Sequence, residues 1–241
     1  MNPPNCLDSG SFLATGDFVY RGDSPITVHH SEGPWLNTAD GRSLLDLEAA
    51  NGSAGLGYDA SLLQQACNDV SQIVTLPSFV ESYTRVNLAK HFVQMFASET
   101  GLSGKVAFDL GGAQGIELAL KIAKHNSSGT KIVVLEGAYH GRSIATSQLS
   151  CSQRYRDASP SAMMDVVRLP YPETTNNYLG LSSKDAESQL IRQANYVLNN
   201  ELSGSFGERS GPMALVIEPL LNVSGLVFPN TTYVRSIVEA V

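Results

Sequence analysis

Residues able to do chemistry gather at three short stretches of this sequence. "FDLGGAQGIELALKIAK" (108–124) sets Gly111 and Gly112 between an apolar, β-prone run and a helix pattern. The free N–H groups and positive dipole end of such a helix favour an anion, and glycines let a phosphate come close to the main chain. The same glycines also suit a tight strand-to-helix turn that needs φ > 0, and their spacing fits neither GxGxxG nor a P-loop. "EGAYHGRS" (136–143) holds Tyr139 and His140 between Gly137 and Gly141. An aromatic ring there can stack on a planar ligand; taken alone, the stretch is a loop with an exposed aromatic and a surface histidine. "ALVIEPLL" places Glu218 directly after four apolar residues and before Pro219. That carboxylate is either a polar contact in a crevice or a strand-ending acid in solvent.

These stretches converge only if strands deliver them to one face of a sheet. From about residue 105, short apolar runs alternate with helix patterns: "KVAFDL", a helix from 113, "KIVVLEG", "DVVRLPY", a helix over roughly 184–202, "MALVIEPLL", and a helix opening near "NTTYVRSIVEAV". The alternation predicts βαβ units and a three-layer α/β/α fold with a mainly parallel sheet. Ligands of such sheets sit beyond the carboxyl ends of the strands, so the combined reading is a crevice for a phosphorylated, planar cofactor. On the helix after Gly112, the residues Gln114, Glu117, Lys121 and Lys124 make one polar stripe, with Glu117 and Lys121 as an i,i+4 pair. The apolar remainder, including Ile116, Leu118, Leu120 and Ile122, predicts a mostly buried helix. Upstream, residues 26–50 alternate about a hairpin signal, Asp40-Gly41. "SLLQQACNDVSQIV" and "SYTRVNLAKHFVQMFASETG" read as helices, the second closed by Gly101. Residues 1–24 are polar and Gly-rich and are expected to be loose or draped over another surface.

Composition narrows the function classes. With 42% hydrophobic residues and a net charge of -7 over 241 residues, the chain has the makeup of a soluble globular protein. It has no run of Lys and Arg, which speaks against a nucleic-acid surface. No apolar run is long enough to span a bilayer, and the start has neither a basic nor an apolar signal region. Cys6, Cys67 and Cys151 are far apart, so no zinc site or disulfide framework is expected and a reducing, cytoplasmic setting is the default. The N-x-[ST] triplets at Asn51, Asn126, Asn222 and Asn230 are read as chance.

Four ordered motifs resemble the class III aminotransferases, pyridoxal-phosphate enzymes of fold type I. "NTADGRSLLDLEAANGSAGLG" resembles the family's D-G-x-x-x-x-D opening through Asp40, Gly41 and Asp46. "LGGAQGIELALKIAK" resembles S-G-S-E-A-x-E-x-A-x-K-x-A-R, "GAYHGRS" the Y-H-G-R motif, and "VIEPLLNVSGLVFPNTTYV" the E-P-x-x-x-x-G-x-x-x-P segment. The resemblance implies that Gly112, Ala113 and Gln114 hold a phosphate, that Tyr139 stacks on a pyridine ring, that His140 supports the ring's surroundings, and that Glu218 lies close to cofactor and substrate. The family's Ser and Glu are replaced by Ala113 and Gln114, which removes a hydroxyl donor and a charge but leaves the backbone N–H groups. Its G-H-x-H-P stretch is replaced by "GYDAS" (57–61).

The resemblance also implies an activity: amino transfer from an amine or amino acid to a 2-oxo acid through pyridoxal 5'-phosphate, in a homodimer, with no nucleic-acid or membrane partner. Residues 1–60 would form the N-terminal segment of a small domain and 61–241 an incomplete cofactor-binding large domain. The family's cofactor aspartate and Schiff-base lysine lie beyond the E-P segment. The chain ends at Val241 and its last lysine is Lys184. No catalytic residue is therefore assigned, and the chain is expected to be an N-terminal portion that is inactive alone. The alternative is a non-catalytic, truncated aminotransferase-like protein that keeps the scaffold and a weak phosphate site. A different nucleotide-binding α/β domain is a third reading, against which the Y-H-G-R and E-P segments speak.

Overall fold

The computed structural model describes residues 26–58, 60–69, 76–77, 79–157, 164–172, 180–200, 211–228 and 230–241. The chain divides between His91 and Phe92 into two compact units. The polar start, residues 1–24, lies outside the described residues.

The first unit holds an antiparallel sheet of β1 (Val28–Glu32), β2 (Trp35–Thr38) and β3 (Ser43–Leu45), in that spatial order. Its second turn is the Asp40-Gly41 hairpin, with Gly41 at φ +86. The first turn, at Gly33 with φ +53, has no counterpart in the sequence reading. At the hairpin the Thr38 hydroxyl donates to Asp40, and the Arg42 Nε donates to Asp40 Oδ2 at 2.9 Å. The Arg42 guanidinium holds the Asp40 carboxyl down at about 2. Asp46 closes a different turn: its carboxylate accepts the Glu48 and Ala49 N–H groups at 2.8 and 3.0 Å and the Tyr58 hydroxyl at 2.7 Å. The Tyr58 bond is the main reason its pKa is lowered. Inside that turn Ala49, Ala50 and Asn51 adopt φ of 52, 50 and 57, a left-handed run that a Cβ disfavours. Both motif acids thus serve local backbone geometry. Tyr58, in the segment where the family pattern has histidine, binds Asp46 by its hydroxyl and Gly33 O by its N–H, the latter at 2.7 Å. Helix α1 (Ser61–Asp69) follows; the rest of the expected helix, 70–74, lies outside the described residues. Helix α2 (Tyr83–Thr100) ends at Gly101, whose φ of +72 makes the expected cap.

The second unit is built on β4 (Lys131–Leu135), flanked by β5 (Asp165–Leu169) and β6 (Ala214–Val216) in a parallel sheet of order β5-β4-β6. Ile132, Val133, Val134 and Leu135 have zero exposure, as expected of a strand covered on both faces. Alternation then assigns the layers. Val133 and Leu135 pack with Leu190, Ala194 and Leu198 of α6 (Ser183–Asn199) and with Tyr233 and Ile237 of α7 (Thr231–Ala240). Ile132 and Val134 pack on the other face with Leu120 of α3 (Gly112–Asn126) and Leu149 of α4 (Ile144–Leu149). Full burial of each valine, leucine or isoleucine among them contributes about 1.5–3 kcal/mol. A short α5 (Gln153–Arg156) follows α4. This is the three-layer α/β/α arrangement.

Two local expectations fail. "KVAFDL" forms no strand; Val106 and Phe108 are 36% and 37% exposed. A β-prone run becomes a strand only against a partner, and no described strand pairs with it. Helix α3 is not mostly buried: among its residues only Leu120 is, and Ile122 is 51% exposed. Its Ile116 and Leu120 rows reach the sheet core, and no described element covers the opposite side.

Two tyrosines close the α6–α7 face. The Tyr171 and Tyr233 rings meet edge to face at 6.0 Å. The Tyr233 hydroxyl donates to Pro170 O at 2.5 Å, and Tyr171 Oη accepts the Asn230 N–H at 2.7 Å. Asn230 caps α7 through the Tyr233 N–H and reaches α6 at Glu187. Burial pushes the fully enclosed Tyr233 phenol well above its ordinary value. Tyr233→Phe removes the donor to Pro170 and keeps the ring, so it should cost about 1–2 kcal/mol in urea denaturation; an unchanged midpoint would show that this bond contributes nothing.

Candidate functional site

Gly112, Ala113, Gln114, Tyr139, His140 and Glu218 all line one cavity, with Arg142 and Ser143 beside them. The loops after β4 and β6 therefore meet the start of α3, although the run that precedes α3 is not a strand. A second cavity, dominated by Phe92, Phe96 and Phe108, is apolar and has no converging set of polar groups.

The start of α3 is open. Gly111 precedes the helix in extended conformation, and no side chain caps it. The N–H groups of Gly112, Ala113 and Gln114 have no intrahelical acceptor by position; the first helical bond is Gly115 N–H to Gly111 O at 2.9 Å. A Cβ on Gly112 would meet no atom within 4 Å, whereas one on Gly111 would lie 2.9 Å from Gln114 Oε1, so the main chain is open at Gly112 while the Gln114 side chain folds back toward Gly111. Lys124 and His125 in the last turn match the dipole. Neither Gly111 nor Gly112 has a positive φ, so the turn itself does not demand glycine. An approach of the main chain to a ligand is the better physical reason for them.

The loop after β4 is held at almost every peptide. Glu136 N–H bonds Leu169 O at 2.8 Å, Ala138 O accepts the Cys151 N–H at 2.9 Å, and His140 N–H bonds Ser150 Oγ at 3.0 Å. Gly141 sits at φ +125, and a Cβ there would lie 2.6 Å from Thr146 Oγ1 and 2.9 Å from Ala113 Cβ. This close approach brings the loop against the first turn of α3. The Tyr139 ring is half-buried and meets Tyr155 edge-on at 5.1 Å; Arg142 lies over the same Tyr155 ring at 5.3 Å. His140 is no surface histidine. It is 7% exposed, its Nε2 is buried without a hydrogen-bond partner, and burial pushes its pKa down to about 4.

Glu218 lies just past the end of β6 and turns back on the main chain. Its Oε2 accepts the Tyr139 N–H at 2.6 Å and its Oε1 the Asn222 N–H at 3.1 Å. Two further groups escaped the sequence reading. Ser143 caps α4 through a capping box with Thr146 and donates to Glu117 Oε1 at 2.6 Å. Glu117 thus reaches across to the loop rather than along α3 to Lys121. Tyr155 backs Tyr139. The spacing Ser143-x-x-Thr146 carried a faint cap signal; the long-range bonds had none.

The family described as Aminotransferase class-III matches residues 19–240. An alanine/serine racemase of Pyrococcus horikoshii is 23% identical over 216 residues, covering 88% of this chain and 45% of that protein. A diaminobutyrate–2-oxoglutarate aminotransferase of Haemophilus influenzae is 23% identical over 239 residues, 97% of this chain and 50% of that protein. A PLP-bound amine transaminase from an uncultivated Pseudomonas species has a similar structure, with TM-score 0.75 and 20% identity over 90% of this chain and 49% of that one. The chain spans about half the length of these relatives. At such identity the structural likeness shows the fold.

His140 gives the site a pH signature. Its folded pKa lies below the ordinary 6.5, so the unfolded chain takes up the proton first as pH falls. The stability it supports is complete above about pH 6.5 and is lost as pH falls toward about 4. Unfolding free energies across that window should fall more steeply for the native chain than for His140→Gln, by on the order of 2 kcal/mol. Equal slopes would mean the imidazole is not held neutral. The Asp40 contribution, lost between 3.8 and about 2, falls in a separate window.

Proposed function

The chain belongs to the class III aminotransferases, and from that premise we propose that it forms the phosphate- and ring-binding part of a pyridoxal 5'-phosphate-dependent transaminase of fold type I. Its substrates are then an amine or amino acid as donor and a 2-oxo acid as acceptor. The observation that carries this reading is the cavity where the uncapped amides of Gly112, Ala113 and Gln114 face the loop bearing Tyr139 and His140. The residues fit the cofactor. The clear space before Gly112 suits a phosphate, and an anion gains from three main-chain donors and the helix dipole. Pyridoxal phosphate supplies, when bound, a carbonyl that takes up the amino group and a ring that accepts electrons.

The described residues have binding and positioning roles in that scheme. The α3 amides would hold the phosphate, with the Gln114 side chain beside them and no hydroxyl at Ala113. Tyr139, braced by Tyr155, offers its face to the ring. His140, neutral at ordinary pH, offers an uncharged imidazole to the ring's surroundings. No lysine lines the cavity among the described residues, so a Schiff-base lysine is not among their contributions. We assign residues 1–60 to the small domain and 61–241 to the large, cofactor-binding domain. A homodimer fits the apolar groups exposed on α2, where Phe92, Met95 and Phe96 are 41%, 49% and 49% exposed. No described helix is long and apolar enough to cross a membrane, and the unpaired thiols of Cys67 and Cys151 fit a reducing, cytoplasmic setting.

Binding tests the reading directly. Titration calorimetry should show pyridoxal phosphate binding more tightly than pyridoxal, with inorganic phosphate competing. Gly112→Val places bulk in clear space, so it should leave the fold intact and abolish both phosphate and pyridoxal phosphate binding. Undiminished affinity in that variant would remove the cradle from α3. In amino-transfer assays from a panel of amines to 2-oxoglutarate and pyruvate, this chain alone is expected to give no turnover. Borohydride should trap no adduct on any one lysine; a specific adduct would identify a lysine in the missing role.

A further inference from the structure

The acid just past β6 lies in the cavity, yet both of its oxygens are engaged with main-chain amides. Glu218 Oε2 accepts from Tyr139 N–H at 2.6 Å and Oε1 from Asn222 N–H at 3.1 Å, joining residues 79 positions apart. A carboxylate so engaged makes charge-assisted bonds, stronger than neutral ones. A second stitch lies nearby, where Ser224 Oγ donates to Gly137 O at 2.8 Å. The loop between them is itself rigidly closed: Leu221 and Val227 exchange both backbone bonds at 3.0 Å, and Leu221 is fully buried. The segment after β6 is thus a fixed anchor, and Glu218 ties to it the peptide that carries Tyr139. The half-buried ring meets Tyr155 edge-on at 5.1 Å.

We propose that Glu218 is a positioning residue that acts through the Tyr139 main chain, setting the angle at which the Tyr139 ring meets a planar cofactor, and makes no contact of its own with that cofactor. The proposal rests on the cofactor reading above and adds the route by which the acid serves it. It separates two functions of the cavity. The phosphate cradle belongs to α3 and is independent of Glu218; the ring platform depends on it.

Glu218→Gln keeps the size of the side chain and one acceptor oxygen, but turns an NH₂ group toward one of the two amides, which cannot bond it. Hydrogen exchange reads the strap without ligand. The Tyr139 amide should be protected in the native chain and exchange at least about tenfold faster in Glu218→Gln or Glu218→Ala, with the Cys151 amide unaffected; equal protection in both variants overturns the strap. Calorimetry reads the consequence. Glu218→Gln should leave inorganic phosphate affinity unchanged, which also shows the variant is folded, and weaken pyridoxal phosphate about tenfold. Tyr139→Ala should weaken it similarly, and the double variant no further. If Glu218→Gln loses the same factor in the Tyr139→Ala background, the acid acts independently of Tyr139 and the proposal falls while the cofactor reading stands. If the native chain binds neither phosphate nor pyridoxal phosphate, the cofactor reading falls and the positioning role falls with it.

Discussion

The burial of β4 on both faces is the constraint from which the second unit follows. Four consecutive side chains at zero exposure leave the strand nowhere to go but the centre of the sheet. Their alternation sends Val133 and Leu135 to one helical layer and Ile132 and Val134 to the other. With the strand fixed, its carboxyl end is fixed too, and the chain leaves the sheet at Glu136 beside the last residue of β5. Everything in the cavity is then a matter of how that emerging loop is held. A loop over a packed sheet cannot leave its N–H and C=O groups unpaired at little cost. Here Ser150, Glu218 and Ser224 supply side-chain partners to its peptides.

Electrostatics in the cavity follow the same economy of main-chain groups. At one end of the cavity lie the uncapped amides at the start of α3. The one carboxylate among the lining residues, Glu218, is engaged by two peptide N–H groups. The histidine is kept neutral by burial alone. Donors, ring and neutral imidazole are thereby arranged with little net side-chain charge. Arg142 is the one cationic side chain among the residues lining the cavity.

Much of this was legible in sequence where a signal is local. The Gly111-Gly112 junction, Tyr139 with His140, and Glu218 after four apolar residues were each visible as a short pattern, and the βαβ rhythm brought them to one face. Helix ends at Gly101 and the Asp40-Gly41 turn were legible for the same reason. The failures share a cause. Whether "KVAFDL" is a strand, or α3 is buried, depends on what lies alongside, and periodicity records only the chain's readiness. The Glu218–Tyr139 and Ser143–Glu117 bonds join residues 79 and 26 positions apart and leave no spacing to read. Glu117 was assigned to Lys121 because helical neighbours are visible in sequence and a neighbouring loop is not. His140 was weighed as a surface residue because polarity, without the tertiary packing around Ser150 and Gly141, does not reveal enclosure.

The helix start made of Gly112, Ala113 and Gln114 has one more consequence. A cradle whose donors are peptide groups stores its specificity in backbone shape and not in side-chain identity. Residues at two of its three positions can drift, as Ala and Gln have here against the family's Ser and Glu, without erasing the donors. What this arrangement depends on is the open main chain at Gly112 and the close pass of Gly141 over Ala113. Its constraint is an absence of atoms, and the residue that supplies an absence is glycine.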